Sequence, residues 1–169
     1  MTRALLSLGS NLGDRFGYLR LAVEGLADVV VAASPVYETP AWGGVEQPDF
    51  LNALLVVEDP ETDHWGWLRR AQELEKAAER VREVRWGPRT LDVDVVTVDG
   101  PEGPVTSTDP ELLLPHPGTP ERATVLVPWL DLDPEAVLPG HGRVADLLAA
   151  LPQAEVAGLR RRTDLVLHR

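Results

Sequence analysis

Two aspartates, Asp92 and Asp94, stand at alternate positions in the stretch RWGPRTLDVDVV, residues 85–96. The alternation of Leu91, Val93 and Val95 with these acids is the pattern of a β-strand. Side chains at i and i+2 of a strand share one face, and two residues advance roughly 7 Å. Two carboxylates so placed converge on a common point and repel each other unless a cation lies between them. Magnesium suits such a pair, because it takes oxygen ligands and shares them between carboxylates and substrate phosphates. On its own, a D-x-D pair is equally the solvent face of a half-buried sheet.

The neighbouring residues favour the first reading. Arg80, Arg82, Arg85 and Arg89 fall within ten residues, with Glu83 the only acid among them, a local charge of +3 in a chain of −11. Planar guanidinium groups bind phosphate oxygens in bidentate fashion. Metal-holding acids beside phosphate-holding arginines are the components of phosphoryl transfer, which is mostly positioning and charge neutralisation. A solvated helix end would also collect arginines, and Arg82 suits that role. No G-x-x-x-x-G-K-[ST] motif occurs, so the site is not of the Walker type. The loop GSNLGD at 9–14 either cradles an anion or caps a helix through Asn11 or Asp14.

The whole composition bounds the partners. The chain has 169 residues, enough for one domain with one sizeable core, and we expect residues 1–169 to form a single domain. Its net charge of −11 argues against non-specific binding to nucleic acid or to anionic membranes. It contains no cysteine, which fits a reducing cytoplasm. The apolar part of the N-terminus is short for a signal peptide, and no apolar run is long enough to span a bilayer.

The elements that must carry these residues follow from periodicity. Residues 4–8 form a strand ending at a loop, and Asp14 to about Ala27 form a helix. DVVVAASPVYET is β-rich, and the breaker-rich TPAWGGVEQPD follows it. Residues 50–58 form a strand with Asn52 inside it, residues 63–79 a helix, and residues 91–98 the strand of the aspartates. The order β-α-β-β-α-β is that of ferredoxin-like α+β folds, an antiparallel sheet with helices packed on it. Residues 99–120 contain six prolines and are expected as loop with one small strand. ERATVLVPWLDL is expected to begin as a short helical turn, residues 143–151 as a short helix, and the tail LRRRTDLVLHR to end in an edge strand.

Four segments together resemble the 6-hydroxymethyl-7,8-dihydropterin pyrophosphokinase family of folate biosynthesis. They are ALLSLGSNLGDR, SPVYETPAWGGVEQPDFLNA, RWGPRTLDVDVV, and LPHP followed by ER and VLVPWLDLDPE, in order across residues 4–140. The resemblance implies transfer of the β,γ-pyrophosphoryl group of ATP to the hydroxymethyl of the dihydropterin, leaving AMP. It implies two Mg²⁺ ions on Asp92 and Asp94, and arginines Arg89 and Arg80 acting on the ATP phosphates. Gln72, Glu75, His116 and Arg122 match ATP-binding positions. Thr39, Pro40, Phe50 and Asn52 match pterin-binding positions, with Asp92 beside them. The protein is expected to act as a monomer on these two small molecules.

One position departs from the family pattern. An aromatic commonly stands two residues after the later arginine and forms the second stacking face for the pterin. Here that position is Thr124. Phe50 is then expected to carry more of the stacking, with Trp42 as the candidate second face. No residue is singled out as general base: a metal lowering the pKa of the hydroxyl and an aspartate taking its proton both remain open. Another metal-dependent transferase on this fold, or a ligand-sensing module, would share the fold but not the full set of motifs.

Overall fold

The computed structural model describes residues 1–40, 48–80 and 90–168, the side chain of Arg80 excepted. Trp42, Arg82, Arg85, Trp86 and Arg89 lie outside the described residues. The first half runs β1 (Thr2–Ser10), α1 (Arg15–Gly25), β2 (Val30–Ala33), β3 (Tyr37–Thr39), β4 (Phe50–Asp59), α2 (His64–Arg80) and β5 (Asp92–Gly100). This is the order expected, with one refinement: the second strand is split in two. Pro35 cannot donate to a ladder, and the hydroxyl of Ser34 accepts from the Leu54 amide at 2.8 Å in its place.

The remaining elements are β6 (Gly103–Pro104), β7 (Ser107–Asp109), β8 (Leu112–Leu114), α3 (Ala123–Leu132), β9 (Val137–Leu138), β10 (Gly142–Arg143), α4 (Val144–Ala149), α5 (Gln153–Ala157) and β11 (Arg160–Arg161). The main sheet has the order β11-β3-β4-β1-β5-β6, with β2 also paired to β4. The pairs are antiparallel, and β1 and β4 lie side by side at the centre, as the first and third strands do in the ferredoxin-like arrangement.

Helices cover both faces of this sheet. On one face Leu19, Ala22 and Leu26 of α1 and Trp67, Ala71 and Leu74 of α2 pack on Leu6, Leu8, Leu55 and Val93. Trp67 is fully buried, and its indole N–H donates to the Thr2 hydroxyl at 2.8 Å. On the other face Val125, Leu126 and Trp129 of α3 pack on Leu5, Leu54 and Val96. A bulge in β5 reconciles the two cores. Leu5 opposes Thr97 and Leu6 opposes Val95, so Val96 is the extra residue. Val95 and Val98 can therefore both face the α1–α2 side although they are three residues apart.

The second half corrects the sequence reading in two places. Residues 99–120 hold three short strands, not one. Residues 123–132 form a ten-residue helix, not a brief turn, and it continues through Pro128. Proline in a helix interior removes a hydrogen bond, but Val125, Leu126, Trp129 and Pro128 itself are all buried, and this packing outweighs the local preference. The expected helix at 143–151 is α4; the tail supplies an edge strand, β11, but at its start and not at its end as expected. Among the described residues no helix is long and apolar enough to cross a membrane.

Candidate active site

The register of four strands brings five of the candidate residues together: Thr39, Phe50, Asn52, Asp92 and Asp94. Tyr37 of β3 opposes Asn52 of β4, Asn52 opposes Gly9 of β1, and Gly9 opposes Asp92 of β5. One row along, Thr39 opposes Phe50; on the other side, Leu54 opposes Ser7 and Ser7 opposes Asp94. Strand alternation puts Phe50, Asn52, Asp92 and Asp94 on the α3 face, because Leu51, Ala53, Val93 and Val95 between them enter the α1–α2 core. Gly9 is the low point of this row. A Cβ there would stand 3.0 Å from the Asn52 amide nitrogen and 3.9 Å from the Phe50 ring. Its absence leaves a flat floor between Asn52 and Asp92.

Asn52 is held on one side and open on the other. The Thr39 hydroxyl donates to Asn52 Oδ1 at 3.1 Å, whereas Nδ2 has, among the described residues, only a long 3.5 Å contact with the Leu8 carbonyl. Its donor edge is the one a ligand would use. Thr39 and Pro40 also line a cavity of about 620 Å³ whose far side includes Arg122, Thr124 and Leu159. The fold thus faces the expected pterin loop with the position where an aromatic is replaced by Thr124.

A second group of candidate residues gathers around β5. Arg122 Nη1 approaches Asp94 Oδ2 at 4.0 Å, with both side chains near half exposure. His116 reaches the same place from the loop after β8, its backbone N–H donating to the Val96 carbonyl at 2.9 Å. Burial pushes the His116 imidazole below its usual pKa; Asp94 opposes this shift and Arg122 adds to it. His116, Asp94 and Leu68 share a cleft of about 190 Å³. On α2, Glu75 accepts from the Val93 amide at 3.2 Å. That bond holds the edge of β5 between the two aspartates, a positioning contact in addition to any ligand role. Gln72 is exposed on the same helix.

Two site features were missed from sequence. Gly118 lies under the Arg122 guanidinium: a Cβ there would stand 2.7 Å from Nε and 2.9 Å from Cζ. Only the spacing G-x-x-x-R could have suggested it. The hydroxyls of Ser10 and Thr90 are buried with no hydrogen-bond partner among the described residues, and Thr90 precedes the aspartate strand by two residues.

Asp92 and Asp94 offer two hard oxygen-donor side chains facing one way, which fits Mg²⁺ completed by phosphate oxygens and water. Among the described residues no group of three or more histidines and acids gathers to hold a metal unaided.

An antiparallel ferredoxin-like sheet carrying same-face aspartates, a facing arginine and a roomy pocket defines a small-molecule transferase domain. The model of the 7,8-dihydro-6-hydroxymethylpterin-pyrophosphokinase family matches residues 5–134, and the chain belongs to that family. The 2-amino-4-hydroxy-6-hydroxymethyldihydropteridine pyrophosphokinase of Mycobacterium tuberculosis is 49% identical over 168 residues, covering 95% of this chain and 89% of the relative. That of Pseudomonas aeruginosa is 34% identical over 154 residues, covering 89% and 92%. A crystal structure of wild-type Plasmodium falciparum HPPK-DHPS with SDX-DHP superposes with a TM-score of 0.64 at 13% identity. It covers 95% of this chain, and this chain spans 47% of that one, a likeness of fold.

Proposed function

We propose that residues 1–169 act as one pyrophosphokinase domain whose pterin and nucleotide meet over the row Asn52–Gly9–Asp92. The protein transfers the β,γ-pyrophosphoryl group of ATP to the hydroxymethyl group of 6-hydroxymethyl-7,8-dihydropterin, releasing AMP, in folate biosynthesis. The hydroxymethyl oxygen bonds to the β-phosphorus and gives up its proton to solvent, the bond from that phosphorus to the bridging α–β oxygen breaks, and AMP leaves with that oxygen. Asp92 and Asp94 would hold Mg²⁺, which when bound would supply charge neutralisation for the triphosphate.

The chain's own groups do the rest. Asn52 donates from Nδ2 to the polar edge of the pterin, Phe50 offers a flat face, and Thr39 and Pro40 bound the pocket. Arg122 and His116 hold phosphate oxygens beside Asp94. Gln72 and Glu75 flank the nucleotide from α2, and Arg80 and Arg89 stabilise charge on the transferred group. The net charge of −11 opposes self-association and supports a monomer, and the absence of cysteine supports a cytoplasmic setting.

The observation that carries this reading is the cross-strand register, which sets Asn52 and Asp92 on either side of Gly9. Calorimetric titration tests it. Asn52→Ala and Phe50→Ala are expected to weaken pterin binding by roughly tenfold or more while ATP binding alone stays near that of the parent. Loss of ATP affinity with intact pterin affinity would put these residues at the wrong end of the cleft.

A further inference from the structure

The chain beyond residue 134 lies outside the matched family segment, yet it returns to the pocket. β11 pairs antiparallel with β3, with Arg160 opposite Glu38. Arg160 Nη2 donates to Glu38 Oε1 and to Asp49 Oδ2, each at 3.0 Å. From α1, Arg15 Nη1 makes a parallel bridge, donating to Glu38 Oε2 at 2.6 Å and to the Asp49 carbonyl at 2.8 Å. Arg162 adds a third cation on Glu38 at 3.3 Å. The Glu38 side chain is only 12% exposed, and the bond from Arg15, with the nearby charges of Arg15, Arg160 and Arg162, holds its carboxyl below the usual range against the cost of burial.

The two bridged acids are not arbitrary. Glu38 immediately precedes Thr39 at the end of β3, and Asp49 immediately precedes Phe50 at the start of β4. Thr39 and Phe50 oppose each other across the β3–β4 pairing. Arg15 and Arg160 therefore cross-link this pair from behind at the end where the chain passes from β3 to β4, one residue from each of two pterin-facing side chains. The same C-terminal segment also meets the pocket from the front. Gly158 lies against Pro40, where a Cβ would stand 3.6 Å from Pro40 Cδ, and Leu159 lines the cavity.

The geometry points to Arg160 as a positioning residue for the pterin: through Glu38 and Asp49 it sets the spacing between Thr39 and Phe50. This rests on the assignment of Thr39, Phe50 and Asn52 to the pterin. The Arg160 side chain is 61% exposed, so its removal costs little stability. The Arg160→Ala protein is expected to show a pterin Kd raised roughly tenfold, because small misplacements of binding groups are costly. Its kcat, ATP affinity and Tm are expected to match the parent. Arg160→Lys restores part of the loss, since a single point charge reaches one carboxylate but not both.

Asn52→Ala is titrated alongside. A weakened Asn52→Ala beside an unaffected Arg160→Ala overturns the positioning role alone. No effect in either variant overturns the pterin-site assignment beneath it. A loss of pterin affinity, ATP affinity and Tm together in Arg160→Ala makes the arginine a stability contact only, and also overturns the proposal.

Discussion

Arg122 rests over Gly118, and this contact ties a residue with no side chain to the cluster beside Asp94. A methyl group at Gly118 would displace the guanidinium from beside Asp94. The displaced atoms are the far end of a flexible chain, so the fold adapts at small cost. Gly118→Ala is expected to lower kcat/KM for ATP by roughly tenfold or more, with Tm within about 3 °C of the parent. Unchanged kinetics by steady-state assay would remove Arg122 from the nucleotide's neighbourhood. At this scale the sequence was most informative where chemistry departs from packing. An acid pair in an apolar strand and an asparagine in another are anomalies that need a reason. Gly118 and the Arg15–Glu38–Arg160 cluster gave no such signal, because an isolated glycine and scattered charges look like any turn and any surface. Their roles exist only through contacts between residues from 4 to 122 positions apart.

Helix α3 places Arg122 and Thr124 at its start, and its position over the sheet is fixed near its other end. Tyr37 of β3 donates its hydroxyl to Asp131 of α3. Burial first, and then this bond, push the phenol up to about 12. The raised value means that the stabilisation is fully present below the unfolded pKa of 10.0 and is lost as pH rises through about 12. Tyr37→Phe is expected to cost about 1–2 kcal/mol by denaturant unfolding at neutral pH, and the deficit should shrink between pH 10 and 12. An equal deficit at both ends of that range would show that the hydroxyl contributes through packing. The elements of the βαββαβ half were legible because their periodicities are clean and their ends are marked. Asp14, for example, caps α1 by accepting from the Gly17 amide at 3.1 Å. The α3 face was not legible. Pro128 contradicts a helix locally, and only the burial of Val125, Leu126 and Trp129 against the sheet explains why one forms.

Across the whole molecule, one antiparallel sheet separates two tasks. Its α1–α2 face is a continuous apolar core, while part of its α3 face is left polar for ligands. The polar row on that face runs from Thr39 through Asn52 and Gly9 to Asp92 and Asp94, and the pocket at its Thr39 end is walled by Gly118, the start of α3 and α5. The central claim is that Asp92 and Asp94 together hold the metal–triphosphate for transfer of pyrophosphate. The most direct measurement is AMP formed from ATP and 6-hydroxymethyl-7,8-dihydropterin at saturating Mg²⁺, in the parent and in Asp92→Ala and Asp94→Ala. The account predicts AMP, not ADP, from the parent. It predicts a fall of about 10³-fold or more in each variant, with the parent's Tm retained, since removing one metal ligand forfeits several kcal/mol of transition-state stabilisation. AMP formation near the parental rate in either variant would contradict it.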